Sequence, residues 1–188
     1  MGLGLALLSS RHMMLTSRKS LSLTVAMATA VVALSATPAH AAIGYRTDPS
    51  GDATGYSSTI TTRANADFLK TATWKSSGRV YVKAWFRNLT SGMSGSVHFV
   101  GLIGSRTTEV GLSRGTGGPV AYLIVGSTPR CASSMRRTVD LTKNSVTISV
   151  PTSCMPAGTW RPAATSVAFK NNTHHAKDRA AVAAVFVR

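Results

Sequence analysis

Residues 131–154 read CASSMRRTVDLTKNSVTISVPTSC and hold both cysteines of the chain. The spacing is that of a β-hairpin. A turn centred on Thr142 and Lys143 pairs Val139 with Val146, Arg137 with Ile148 and Met135 with Val150. The same register sets Cys131 opposite Cys154, within reach of a disulfide without movement of the backbone. Val146, Ile148 and Val150 alternate with Thr147 and Ser149, which gives the second strand a buried face and a wet face. Arg137 falls on the apolar face, so the first strand carries a bulge or lies at a sheet edge.

The same period of two recurs outward from this hairpin. Phe68 to Trp74 is rich in β-formers, Ser76-Ser77-Gly78-Arg79 is a turn cluster, and Val80 to Phe86 alternates. Val80, Val82, Ala84 and Phe86 take one side of that strand; Tyr81, Lys83, Trp85 and Arg87 take the other. Further strands are expected over 96–103, 107–112, 120–125, 165–169 and 180–187, with a glycine-containing loop over 113–119 and a polar segment over 171–178. Residues 42–66, rich in Thr, Ser, Gly and Asp, read as an extended lead-in with at most one short strand near Ser58 to Thr62. No convincing helix emerges. The pattern predicts an all-β fold, a single antiparallel β-sandwich of jelly-roll-like form with one disulfide.

Residues 1–41 read as a signal peptide. Arg11, Arg18 and Lys19 precede the apolar run Leu21 to Leu34, and Ala39-His40-Ala41 supplies a small-x-small cleavage site. The apolar run is shorter than the roughly 20 residues that span a bilayer. The β-sandwich domain is then expected over 42–188, with no transmembrane segment. It keeps 18 basic and 6 acidic residues, a net charge of +12. Such an excess favours anionic partners, among them wall polymers and acidic glycans, or else serves solubility. The basic residues are scattered and no nucleic-acid-binding motif is present. Export and a pair of cysteines together favour a disulfide and a secreted, extracellular protein.

Several short motifs occur together here. They are Asp48-Pro49-Ser50-Gly51-Asp52, Asp67 opening a strand, Phe86-Arg87-Asn88-Leu89, Val139-Asp140, Val150-Pro151-Thr152-Ser153-Cys154 and Trp160. In combination they resemble a group of small secreted β-sandwich proteins of high-GC Gram-positive bacteria. The resemblance spans most of 42–188. It implies a sandwich loosely similar to some carbohydrate-binding modules, and no enzyme activity. Asn88 stands where an Asp is expected and Thr152 where a basic residue is more common, which weakens any acidic ligand role at Asn88.

Two sets of residues are candidates for chemistry. Asp48 and Asp52, with Asp67, are oxygen ligands of the kind Ca²⁺ takes, although Asx-type turns account for the same residues. Tyr81, Lys83, Trp85 and Arg87 mix aromatic and cationic groups on one strand face, suited to stacking plus charge, unless that face is covered by a second sheet. Trp74, Trp160 and Tyr122 are further aromatic candidates. Histidine is sparse and follows no metal-binding spacing. A Ser-His-Asp triad is recognised by geometry and not by order. The leading expectation is a non-enzymatic secreted binding module for anionic or glycan surface polymers. The alternatives are a secreted hydrolase or inhibitor, or a structural envelope protein.

Overall fold

The computed structural model describes residues 42–56, 59–92, 94–115, 117–170 and 174–188. The signal-peptide reading of residues 1–41 lies outside the described residues. Among the described residues no helix is long and apolar enough to cross a membrane.

Two antiparallel sheets pack face to face. The first contains β1 (Gly44–Thr47), β3 (Phe68–Ser76), β4 (Arg79–Phe86), β10 (Ser145–Pro151) and β9 (Arg136–Asp140), adjacent in that order. The second runs β2 (Thr54–Tyr56), β12 (His174–Ala181), β11 (Thr159–Lys170), β5 (Ser94–Ile103), β6 (Arg106–Gly115), β7 (Gly118–Val125) and β8 (Thr128–Pro129), with β13 (Val185–Phe186) paired to β11. Between the sheets lie Val80, Val82 and Phe86 of β4, Val146, Ile148 and Val150 of β10, and Val97, Phe99, Val110, Leu112 and Leu123 of the second sheet, all buried. Trp160 of β11 completes this core and donates its indole N–H to the Thr108 carbonyl at 3.3 Å.

The 131–154 hairpin has the register expected from the sequence: Val139 pairs with Val146 and Arg137 with Ile148. β9 is the outermost strand of its sheet, which leaves Arg137 exposed and explains a cation in an apolar position. The cysteines are bonded, with Cα atoms 6.1 Å apart, but not as a cross-strand pair. The β9–β10 ladder ends at Arg136 and Ser149. Beyond it Met135 and Val150 do not pair, Pro151 has no N–H to donate, and each cysteine lies at one end of a single 3₁₀ turn, Ala132–Ser134 or Thr152–Cys154.

Other boundaries also differ from expectation. Part of the lead-in folds as α1 (Ile60–Ala66) in place of a strand. Thr59 caps it, its hydroxyl accepting from the Thr62 amide at 3.2 Å, and Ala64, Asn65 and Ala66 turn inward. Ser58 lies outside the described residues. The expected loop over 113–119 is narrower, because β6 continues to Gly115 and β7 starts at Gly118. Of the polar segment over 171–178, residues 174–178 are strand, and the expected strand over 180–187 divides between the end of β12 and β13. The inward positions of β12 are Ala176, Asp178 and Ala180, too small or too polar to signal a buried face.

The disulfide closes a loop of 23 residues in sequence separation. Replacing both cysteines with Ser should lower unfolding stability by about 3 kcal/mol on the chain-entropy account, read as a lower urea midpoint with an m-value that rises as the unfolded chain loses its cross-link. An unchanged midpoint would mean that the ladder alone holds the hairpin.

Candidate functional site

The alternation of β4 is complete: Val80, Val82, Ala84 and Phe86 are buried, while Tyr81, Lys83 and Trp85 are partly open to solvent. Among the described residues nothing covers the second side as a core. The register then sets neighbours beside them. Lys70 of β3 and Ser145 of β10 pair with Trp85, Trp74 of β3 and Ser149 of β10 pair with Tyr81, and Tyr45 of β1 pairs with Ala72 beside Lys83. Residues from four strands thus meet on the outer surface of the five-stranded sheet.

Cations and rings interleave on this surface. The Lys70 ammonium sits 3.9 Å from the Tyr45 ring centroid and 5.3 Å from that of Trp85. The Lys83 ammonium sits 4.5 Å from the Trp85 centroid. Trp74 and Tyr81 stack in parallel with centroids 4.9 Å apart. Beside them a shallow depression of about 180 Å³ is lined by Tyr81, Arg136, Arg137, Thr138, Thr147 and Ser149. The negative ring faces attract the ammonium groups, so a sugar stacking on Trp85 would first have to displace Lys83. An anion needs no such displacement and meets positive charge backed by hydroxyls.

Arg87 does not join this group. It lies just beyond the end of β4, and its guanidinium points to the Asp67 carboxylate at 3.7 Å. Trp160 is wholly buried and Tyr122 belongs to the other sheet, so neither contributes to the surface. Tyr45 and Lys70 are additions that the sequence did not announce, since their place depends on β1 pairing with β3.

Acidic residues gather elsewhere. Carboxylate oxygens of Asp48, Asp52 and Asp178 lie within 4.8 Å of one another. The Asp48 amide donates to the Leu69 carbonyl at 3.0 Å, which fixes the loop after β1 against β3. Asp178 points inward from β12 and accepts from the Phe68 amide at 2.8 Å and from its neighbour Arg179 at 2.7 Å. Asp67, expected beside Asp48 and Asp52, is instead engaged through Oδ2 with the Gly51 amide at 2.8 Å. Asp178 takes its place in the cluster. Its position 110 residues after Phe68 is a matter of tertiary structure that no local spacing could give. Oδ2 of Asp48 and Oδ1 of Asp67 are buried without a hydrogen-bond partner among the described residues. Asp48, Asp52 and Asp178 are the residues that could hold a hard cation such as Ca²⁺, which accepts carboxylate oxygens in flexible geometry.

Burial, followed by the charges of Asp178, Asp52 and Asp67, pushes the Asp48 carboxyl up to about 6 from its ordinary 3.8. Burial raises Asp67 and Asp178 as well. A carboxyl with a higher pKa in the folded than in the unfolded chain stabilises the fold while protonated. That stability is complete below about pH 4 and lost as pH rises through about 6. In the presence of chelator, the melting temperature of the wild type should therefore fall relative to that of Asp48→Asn between about pH 4 and pH 7. A difference that does not change with pH would mean that neither burial nor the neighbouring charges raise the Asp48 pKa. Comparison with family models, with curated proteins and with solved structures finds no match to this chain.

Proposed function

We propose that this is a secreted binding module whose outer five-stranded surface holds an anionic cell-wall polymer. The observation that carries this reading is the open side of β4, where Lys70 and Lys83 are held on the rings of Tyr45 and Trp85. Ring contact limits the wandering of the two lysine side chains, so less entropy is lost when a ligand fixes them. Arg136 and Arg137 continue the positive charge along the edge strand, beside the hydroxyls of Thr138, Thr147 and Ser149. A polymer with repeated phosphate or carboxylate groups fits this layout better than a neutral glycan. The disulfide and the signal-like character of residues 1–41 support an extracellular setting.

Binding to purified teichoic-acid-type polymer should weaken steeply between low salt and about 0.15 M, where screening acts over about 8 Å. Trp85→Ala, which frees the Lys83 side chain, should weaken it by no more than the roughly 1–3 kcal/mol that stacking of a nucleic-acid base on an aromatic ring contributes. Because Trp85 is partly exposed, the melting temperature should change little. Lys70→Ala with Lys83→Ala should make the salt dependence shallower by the share of two cations. Salt-insensitive binding, or binding untouched by all three substitutions, would refute the assignment. A large loss of stability in Trp85→Ala would show that the ring is packing and not a contact.

A further inference from the structure

The outer surface of the second sheet carries a separate arrangement. Ser96 and His98 are two residues apart on β5 and point to the same side. The His98 Nε2 lies 2.7 Å from the Ser96 hydroxyl, and its Nδ1 lies 2.8 Å from Oε1 of Glu109 on β6. The Tyr122 hydroxyl on β7 is 2.7 Å from the same Nδ1 and donates to Glu109 Oε1 at 3.0 Å. His98 and Glu109 are partly exposed, at 30% and 25% of their side chains, so the group is reachable from solvent.

The tautomer follows from the partners. An ionised carboxylate only accepts, so Nδ1 carries the imidazole proton toward Glu109. Nε2 is then bare and accepts from the Ser96 hydroxyl, which is the relation of a base to a nucleophile. The Tyr122 phenol stays protonated, because burial and the neighbouring Glu109 raise its pKa well above the ordinary value. Gly111, paired with both His98 and Tyr122, makes the arrangement sterically possible. A Cβ there would meet the Tyr122 ring, which lies across β6 toward His98. Exposed Val100 and Val120 flank the group on the same surface. The register also sets Lys177 in line with Ser96 and Arg179 in line with His98, each two strands away on β12 and exposed.

We propose that Ser96, His98 and Glu109 form a nucleophilic acyl-transfer site for carboxylic esters with an apolar acyl group, independent of the polymer-binding surface. Ser96 Oγ bonds to the acyl carbon while its proton passes to His98 Nε2. The ester C–O bond breaks, and the departing alcohol takes that proton from Nε2. Water then attacks the acyl-serine, again giving a proton to Nε2, and the carboxylic acid leaves as Ser96 recovers its hydrogen. Glu109 holds the imidazole in the required tautomer and faces its positive charge, and Tyr122 positions Glu109.

The decisive experiment treats the full chain, folded and with its disulfide intact, with an alkyl fluorophosphonate and locates the adduct by mass spectrometry. The expected result is one adduct, on Ser96, together with hydrolysis of p-nitrophenyl butyrate that Ser96→Ala abolishes. His98→Gln should slow labelling about 100-fold or more, the usual share of a general base. Tyr122→Phe keeps the ring and should slow it less, with KM for the ester unchanged. Absence of an adduct on the folded wild type, or an adduct at another residue, overturns the proposal without reliance on any variant. Equal labelling in a His98→Gln chain of unchanged melting temperature overturns it as well.

Discussion

A strand that joins a two-sheet sandwich must send alternate side chains into one shared core, and this constraint governs the rest of the molecule. Each fully buried Val or Phe of β4 contributes about 1.5–3 kcal/mol by leaving water. A slip of one residue would expose Val80, Val82 and Phe86 and bury Lys83, so the register is tightly held. Once the inner side is fixed, the outer side is fixed too. Strands about 4.8 Å apart then bring side chains from distant parts of the chain into neighbouring positions. Tyr45, Lys70 and Trp85 meet in this way on one surface, and Ser96, His98, Glu109 and Tyr122 on the other. Each surface has a stiff scaffold beneath it, which keeps side-chain geometry from relaxing.

One edge of the sandwich is closed differently. Between β3 and the end of β12 the contacts are polar. Asp178 accepts the Phe68 amide, and the hydroxyls of Thr71 and Thr73 donate to the carbonyls of Ala181 and Ala183 at 2.7 Å. The Ser166 hydroxyl donates to the Ala66 carbonyl nearby, tying the end of α1 to β11. A buried carboxylate is costly unless it is hydrogen-bonded, and the two backbone amides at Asp178 offset part of that cost. They also bring the carboxylate against Asp48 and Asp52, where like charge remains uncompensated. The seam that joins the two sheets at this edge is thus also what makes the acidic cluster.

The sequence was most legible where large apolar residues alternate and where turns are short. The hairpin register of β9 and β10, the β3–β4 hairpin and the disulfide partners all follow from local pattern. Helix α1 was missed because its turn is short and its inward residues, Ala64, Asn65 and Ala66, form no apolar stripe. β12 was missed because Ala and Asp occupy its core side. The site was half legible for a related reason. Tyr81, Lys83 and Trp85 share a face by alternation alone, but Arg87 lies past the strand end, where alternation no longer applies. Tyr45 and Lys70 enter only through pairing of strands, as does Asp178 in place of Asp67. Ser96 and His98 share a face by alternation of the strand expected over 96–103, but their partners come from β6 and β7.

The distribution of the six acidic residues explains why so basic a chain presents its charge outward. Asp48, Asp52 and Asp178 face one another, and Asp67 holds the Gly51 amide with Arg87 nearby. Glu109 is committed to His98 and Tyr122, and Asp140 accepts the Lys143 amide in the hairpin turn. Each acid thus has a local task. Among the described residues the ion pairs are Arg87 with Asp67, Lys143 with Asp140 and the His98–Glu109 contact. Most surface lysines and arginines therefore have no carboxylate partner and are balanced only by mobile ions. Release of those ions by a polyanion is entropically favourable, as it is when proteins bind nucleic acid phosphates. Under the proposed function, a surface whose few carboxylates are engaged locally meets an anionic polymer with cations that have no partner in the fold.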